Sequence, residues 1–327
     1  MSVPTLKYCP GTLAEGFSTY SRSCLKRMFH GKKVDHVLQY NSPASHSDSD
    51  KLFDENRKQI SISGVQEKFS VLLEKNKLRL ITEGERGTYI LKPIPGAGKK
   101  ADQMPANEHV TMQIARQVYD IETAENAIIF FTDGTPAYIT KRFDVNADGT
   151  KLAQDDFASL AGRTPQTHGE HYKYSGNYLE LFQLMKKYLP AYKSEAPKLL
   201  KLLLFNYLFS NGDAHFKNFS LLETPMGDYR LSPAYDLLNS HIHIDDSDFA
   251  PVDGLLPRKL AQGKISKQFS VLAENTGISK KIFDDILTTM LSNSEKVEKM
   301  IAASFLNDTT KRSYLQLYQG RLRQLRK

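Results

Sequence analysis

Phe205-Asn-Tyr-Leu-Phe-Ser-Asn-Gly-Asp-Ala-His-Phe-Lys-Asn-Phe219 is the stretch on which the fold turns. A long apolar helical pattern stops sharply at Ser210-Asn-Gly212. Asp213 and Asn218 follow with the spacing D-x-x-x-x-N. Phosphoryl transfer needs a carboxylate beside the attacking hydroxyl and an oxygen ligand for the metal on the phosphates, and a loop of this spacing supplies both. Taken alone the match is weak, because Asp and Asn are common turn residues. His215 and Lys217, inside the loop, suggest further contacts to a polyanion.

Downstream, Ser220-Leu-Leu222 and Tyr229-Arg-Leu231 can pair as a hairpin around Pro225-Met-Gly-Asp228. That hairpin would return Asp236, in Ser232-Pro-Ala-Tyr-Asp-Leu-Leu238, to the neighbourhood of Asn218. Magnesium prefers hard oxygen ligands and often takes only one or two from the protein, a recipe Asn218 and Asp236 fit. The plainer reading of Asp236 is an N-cap before Leu237-Leu238.

Upstream, Phe69–Leu73, Leu78–Ile81, Tyr89–Lys92, Ala127–Phe131 and Ala137–Phe143 read as strands. A helix begins near Asn107 as cap, with Glu108 in its first turn and Val110, Ile114 and Val118 on one face. Lys92, held on a strand, can neutralise nucleotide phosphates, and Glu108 can pair with it. The segment Ile60-Ser-Ile-Ser-Gly-Val-Gln-Glu-Lys68 has one glycine, too few for a dinucleotide or Walker loop. It can still fold over phosphates through backbone N–H groups and Lys68. Ser61 and Ser63 are hydroxyls there, open to phosphorylation, and the added charge would repel ATP or move the loop.

The fold class expected is α+β with two lobes: a β-rich N-lobe and an all-α C-lobe, as in protein kinases. The divisions are residues 1–60, an N-terminal extension; 61–150, the N-lobe; and 151–327, the C-lobe. Residues 1–40 look weakly structured or packed against a larger body. The end, from Lys264, holds three or four helices separated by Gly277, Asn293 and Asn307. No apolar run nears the roughly 18 residues of a membrane span, and no signal peptide is visible, so the cytoplasm is the expected compartment. Two cysteines, Cys9 and Cys24, cannot build a disulfide framework or a zinc site by themselves. His241-Ile-His243 lacks an evident third metal ligand. The net charge of +7 suits bound phosphates, an acidic partner or nucleic acid; the basic terminal residues read as a solvated helix face.

Seven segments in order carry a resemblance: S-I-S-G-V-Q-E-K, Y-I-L-K-P, N-E-H, K-R-F-D, Q-D-D-F, N-G-D-A-H-F-K-N-F-S and S-P-A-Y-D-L-L. Together they resemble HipA-type serine/threonine kinases, the toxins of toxin–antitoxin modules, from about Ile60 onward. The resemblance implies ATP and Mg²⁺ as cofactors, with Asp213 catalytic and Asn218 and Asp236 on the metal. It implies Lys92 on the phosphates, Lys141 and Phe143 as backbone hinge contacts to adenine, and Gln154 and His215 near the nucleotide. Ser61, or Ser63, would be the autophosphorylation site. Full-length HipA kinases carry roughly a hundred residues before the serine loop, and this chain has about sixty. It is similar to HipT, the short kinase of three-gene modules. The implied partners are a DNA-binding HipB-like antitoxin, a small HipS-like protein, or both. DNA is met only through the antitoxin, and the implied protein substrate is an aminoacyl-tRNA synthetase.

Two other readings fit parts of the sequence. A small-molecule phosphotransferase also uses a G-D-x-x-x-x-N loop, and Gly212-Asp213 satisfies it. A non-catalytic kinase-like subunit of a DNA-bound repressor complex would use the basic surface instead.

Overall fold

Alternating apolar residues in the first half make strands with one face to bury, and five of them pair into one antiparallel sheet. The computed structural model describes residues 3–43, 53, 66–146 and 149–327. Ser61 and Ser63 therefore lie outside the described residues. The chain divides into two units. The first is Met1–Gln113, Ala124–Thr150 and Lys299–Lys311; the second is Ile114–Thr123, Lys151–Glu298 and Arg312–Lys327.

In the first unit the strands are β1 (Phe69–Glu74), β2 (Lys77–Leu80), β3 (Tyr89–Lys92), β4 (Asn126–Phe130) and β5 (Pro136–Lys141). Their order is β2-β1-β3-β5-β4. Register pairs Val71 with Leu80, Phe69 with Leu91, and Lys92 with Tyr138. The strand expected to reach Phe143 stops at Lys141, where the Arg142–Asp144 ion pair (2.6 Å) turns the chain. One sheet face buries Phe69, Val71, Leu91 and Ile139 against Cys9, Cys24, Met28 and Phe29. The last three belong to α1 (Arg22–Phe29), which Ser21 caps by accepting from the Cys24 N–H at 3.2 Å. The first forty residues are thus part of this core. Tyr20 and Tyr89 fasten them by donating to the carbonyls of Ile128 and Met28, each at 2.8 Å.

Helix α2 (Met104–Gln117) starts three residues before the expected cap. The turn Ala101–Gln103 runs straight into it. Pro105 sits in the first turn, where its missing N–H costs nothing. Asn107 is consequently a buried interior residue, its carbonyl accepting from Thr111 Oγ1 at 2.8 Å. His109 follows, fully buried beside Phe305 (ring centroids 6.2 Å apart), and burial pushes its imidazole down to about 3. It folds neutral, whereas the unfolded chain protonates it below its ordinary value near 6.5. Stability is therefore lost as pH falls from about 6.5 toward 3, at about 1.4 kcal/mol per unit of separation. We expect His109→Leu to flatten this acid-side fall in melting temperature; parallel curves for the two proteins would contradict the assignment.

The second unit contains a three-stranded antiparallel sheet of order β6-β7-β8: β6 (Gln154–Asp156), β7 (Ser220–Glu223) and β8 (Tyr229–Leu231). The expected hairpin is β7–β8, with Leu221 opposite Leu231; β6 was not foreseen. Its helices are α3 (Phe157–Leu160), α4 (Pro165–His168), α5 (Leu179–Tyr188), α6 (Tyr192–Leu208), α7 (Ile265–Asn275) and α8 (Lys280–Ser292). Helices α9 (Ser294–Ala303) and α10 (Asp308–Leu325) contribute residues 299–311 to the first unit and the rest to the second. Helix α6 begins at Tyr192, with Pro197 inside it. In its first turn buried Glu195 accepts the Leu231 N–H at 3.0 Å and ties the helix to β8. Further along α6, Phe205 stacks on Phe209 (4.3 Å), which stacks on Tyr318 (5.1 Å). Among the described residues no helix is long and apolar enough to cross a membrane.

Candidate active site

Helix α6 ends at Leu208, and Ser210 turns the chain through a left-handed conformation (φ 52°). The turn is fixed by hydrogen bonds. The Gly212 N–H donates to Ser240 Oγ at 2.8 Å, and Ser240 donates to the Asp246 carboxylate and, at 3.1 Å, to the Ser210 carbonyl. Gly212 is required by space. A Cβ there would lie 2.2 Å from the Ser247 carbonyl oxygen and 2.6 Å from Asp246. We expect Gly212→Ala to cost about 1–3 kcal/mol of stability, as overpacking does, and to lower any activity of the loop. An unchanged urea midpoint would refute this.

The loop then presents its polar groups. Tyr174 donates its phenol hydrogen to Asp213 Oδ1 at 2.6 Å. Burial raises the Asp213 carboxyl above its ordinary value; the Tyr174 hydrogen bond and nearby Lys173 pull it back, and Asp246 and Asp236 push it up again. His215 is mostly buried against Tyr174 (ring centroids 5.2 Å apart), and burial drives it down to about 3, so it is a neutral imidazole near pH 7. Tyr178 holds the loop from behind by donating to the Ala214 carbonyl at 2.7 Å. The Lys217 ammonium lies 3.9 Å from Asp156 and 3.4 Å from the Tyr172 hydroxyl.

Asn218 and Asp236 meet. Asn218 Nδ2 donates to Asp236 Oδ2 at 3.3 Å, and Asn218 Oδ1 accepts the His215 N–H at 3.0 Å. Asp236 adopts a left-handed conformation (φ 56°), and no helix follows it, so it is not an N-cap. A non-glycine residue held there is sterically costly, as befits a side chain that must point one way. The adjacent Tyr235 hydroxyl contacts Ser220 and donates to the Lys217 carbonyl at 2.9 Å; Gln154 Nε2 donates to the same Ser220 Oγ at 3.1 Å. One network thus joins Gln154, β7 and the stretch before Asp236. Asp236 offers the hard carboxylate oxygens that magnesium takes; Asn218 turns its Nδ2 toward Asp236 and its Oδ1 toward the His215 N–H, and that oxygen keeps a second lone pair for a cation.

The expected groups of the first unit also come together. Lys92 Nζ lies 2.7 Å from Glu108 Oε1, both side chains about 95% buried at 5% and 4% exposure. The same ammonium sits 5.3 Å from the centre of the Tyr138 ring. Lys68 is half-buried just before β1, where the Gln66 side chain donates to the Pro93 carbonyl at 3.3 Å. The Lys141 N–H donates to the Glu125 carbonyl at 2.8 Å, and burial lowers its ammonium below the usual lysine range. Phe143 lies two residues beyond the end of β5.

Sequence reasoning missed Tyr174, Ser240 and Asp246, which no motif marks and only folding brings to the loop. His241 and His243 lie in and after a 3-10 turn (Ser240–Ile242); His241 pairs with Asp246 at 2.8 Å. Among the described residues no three His, Cys, Asp or Glu side chains form a metal-binding group. Cys9 and Cys24 are buried free thiols.

A loop carboxylate, an amide paired with a second carboxylate, and a strand lysine bonded to a helix glutamate are the groups that a kinase-type site uses. A family model described as the HipA-like C-terminal domain matches residues 60–298, and the chain belongs to that family. A Sinorhizobium fredii protein named as a kinase, Y4dM, is 30% identical over 244 residues, covering 70% of this chain and 57% of the relative. A Haemophilus influenzae protein, also named as a kinase, is 22% identical over 330 residues, 94% of this chain and 93% of its own. The chain thus spans little more than half of the first relative. Two solved structures share the fold. One is the HipA toxin–antitoxin complex of Shewanella oneidensis with HipB and operator DNA (TM-score 0.62, 18% identity, 87% of this chain, 72% of that one). The other is the Helicobacter pylori proinflammatory kinase CtkA (TM-score 0.52, 14% identity, 78% and 92%). The fold class expected from the sequence, a kinase-like α+β protein, is therefore the observed one.

Proposed function

We propose that this chain is an ATP-dependent serine/threonine protein kinase, the toxin of a HipA/HipT-type toxin–antitoxin module. The observation that carries the reading is the loop Asp213–Asn218 with Asn218 hydrogen-bonded to Asp236. Asp213 takes the proton of a serine hydroxyl as that oxygen attacks the γ-phosphorus of ATP, the bond to the β,γ-bridging oxygen breaks and ADP leaves. Asn218 and Asp236 would hold magnesium, which would offset the charge of the phosphates. Lys92 contacts the phosphates, with Glu108 aligning it, and Lys68 adds charge from the end of the serine loop. Lys141 and Phe143 meet adenine through their backbones; the Lys141 N–H is already engaged by Glu125, which leaves its carbonyl for this role. Gln154 and neutral His215 line the nucleotide site as hydrogen-bonding groups. Ser61 or Ser63 receives phosphate as a self-modification.

The partners proposed are a HipB-like DNA-binding antitoxin and a small HipS-like protein, with DNA reached through the antitoxin. HipB and operator DNA accompany HipA in the Shewanella structure. The proposed target is an aminoacyl-tRNA synthetase, which accords with the family resemblance. No helix suited to a membrane exists among the described residues, and we place the protein's action in the cytoplasm.

Calorimetric titration with ATP tests the site. Magnesium should strengthen binding to the native chain, and Asp236→Ala should abolish that magnesium dependence. Equal affinities with and without magnesium in the native chain would count against the reading.

A further inference from the structure

The connection between α4 and α5 lays a hydroxyl on the carboxylate proposed as catalytic base. Tyr174 Oη stands 2.6 Å from Asp213 Oδ1, within the roughly 2.6–3.2 Å at which a base takes the proton of an attacking group. This is the relation an acceptor hydroxyl must have to Asp213, and it is occupied by a residue of the same chain. Tyr174 is well seated. Its ring meets His215 edge-on, and the Lys173 ammonium lies 5.0 Å from the ring centre. The residue closes a short 3-10 turn (Tyr172–Tyr174) set between Gly169 and Gly176, at φ 71° and 85°. Left-handed backbone at both ends lets a tight loop deliver the phenol.

We propose that Tyr174 is itself a phosphate acceptor of this site, modified within its own chain; the proposal rests on Asp213 being the base of an ATP-dependent kinase. The Tyr174 oxygen attacks the γ-phosphorus of ATP and its proton passes to Asp213. The bond from the γ-phosphorus to the β,γ-bridging oxygen breaks, and its electron pair leaves with ADP. The phosphotyrosine carries about −1.5 to −2 charge, which Asp213 repels and Lys173 attracts. The modified side chain therefore leaves the carboxylate. Until then the phenol occupies the place that any other acceptor needs.

The test is incubation of the full chain with Mg-ATP, followed by mass spectrometry of the peptide holding Tyr172 and Tyr174. The expected result is up to about one phosphate per chain on Tyr174, with a rate constant unchanged by tenfold dilution, because the transfer is unimolecular. Tyr174→Phe should clear that peptide of label, which excludes Tyr172 as the modified residue. A size-tagged Asp213→Asn chain, mixed with the native one and checked for an unchanged circular dichroism spectrum, should stay unmodified at Tyr174. Label on the tagged chain's Tyr174 would overturn the within-chain assignment. Phosphoserine formation with Tyr174 untouched would overturn the proposal and leave the kinase reading standing. Absence of every phosphotransfer would remove both.

Discussion

Asp213→Asn is expected to lower ATP-dependent phosphotransfer by about 10²–10⁴-fold, the range for losing a general base. The change is isosteric. An amide can still accept the Tyr174 hydrogen bond through its oxygen, so the loop should keep its shape. What is lost is the ability to take a proton. Burial raises Asp213 above an ordinary aspartate, which makes it a better base than an exposed one. ATP affinity should change little, because the proposed phosphate and metal contacts lie on Lys92, Asn218 and Asp236. Initial rates of ADP release and of protein labelling, set beside calorimetric ATP binding, separate the two effects. A fall in binding equal to the fall in rate would mean that Asp213 serves nucleotide binding instead.

The second large effect is on stability. Lys92 and Glu108 form an ion pair at 2.7 Å with both side chains almost wholly buried. Breaking such a pair from one side leaves a charge without its counter-ion and costs about 3–5 kcal/mol. Lys92→Met should therefore lower the urea midpoint sharply. Lys92→Met combined with Glu108→Leu should recover much of the loss, because an apolar pair of similar volume avoids the desolvation penalty. The recovered protein then isolates function from folding. If Lys92 binds phosphates, the double variant is stable and still poor at binding ATP. If the pair is only structural, the double variant binds ATP as the native chain does.

Much of this was written in the sequence, for physical reasons. Strands β1 to β5 were legible because apolar residues alternate and glycine or charged residues separate them. The hairpin β7–β8 was legible from Pro225-Met-Gly-Asp228 between two apolar runs, and it does carry the chain back so that Asp236 meets Asn218. Lys92 and Glu108 were paired on the logic of opposite charges on a strand and the next helix. The start of α2 was misread because Asn107 is a good cap by type, yet the turn at Ala101–Gln103 had already begun the helix and buried it. For the first forty residues the sequence left two readings, weakly structured or packed against a larger body; the second holds, and which residues enter the core was not legible, since α1 is short and its polar residues mask the three that do. Tyr174, Ser240 and Asp246 could not be read at all. Ser240 reaches Gly212 from 28 residues away and Tyr174 reaches Asp213 from 39, each by a hydrogen bond that depends on tertiary structure, and Asp246 is held behind them by Ser240.

The central claim is that Asp213 serves a transfer of phosphate from ATP to serine on a protein. Its most direct measurement is to incubate the native chain and the Asp213→Asn chain with Mg-ATP and a cell lysate, and to map phosphorylated residues by mass spectrometry. The account predicts new phosphoserines with the native chain, on a lysate protein and on the kinase itself, and none with the variant. Equal phosphoserine maps from the two proteins, or none from either, would contradict it.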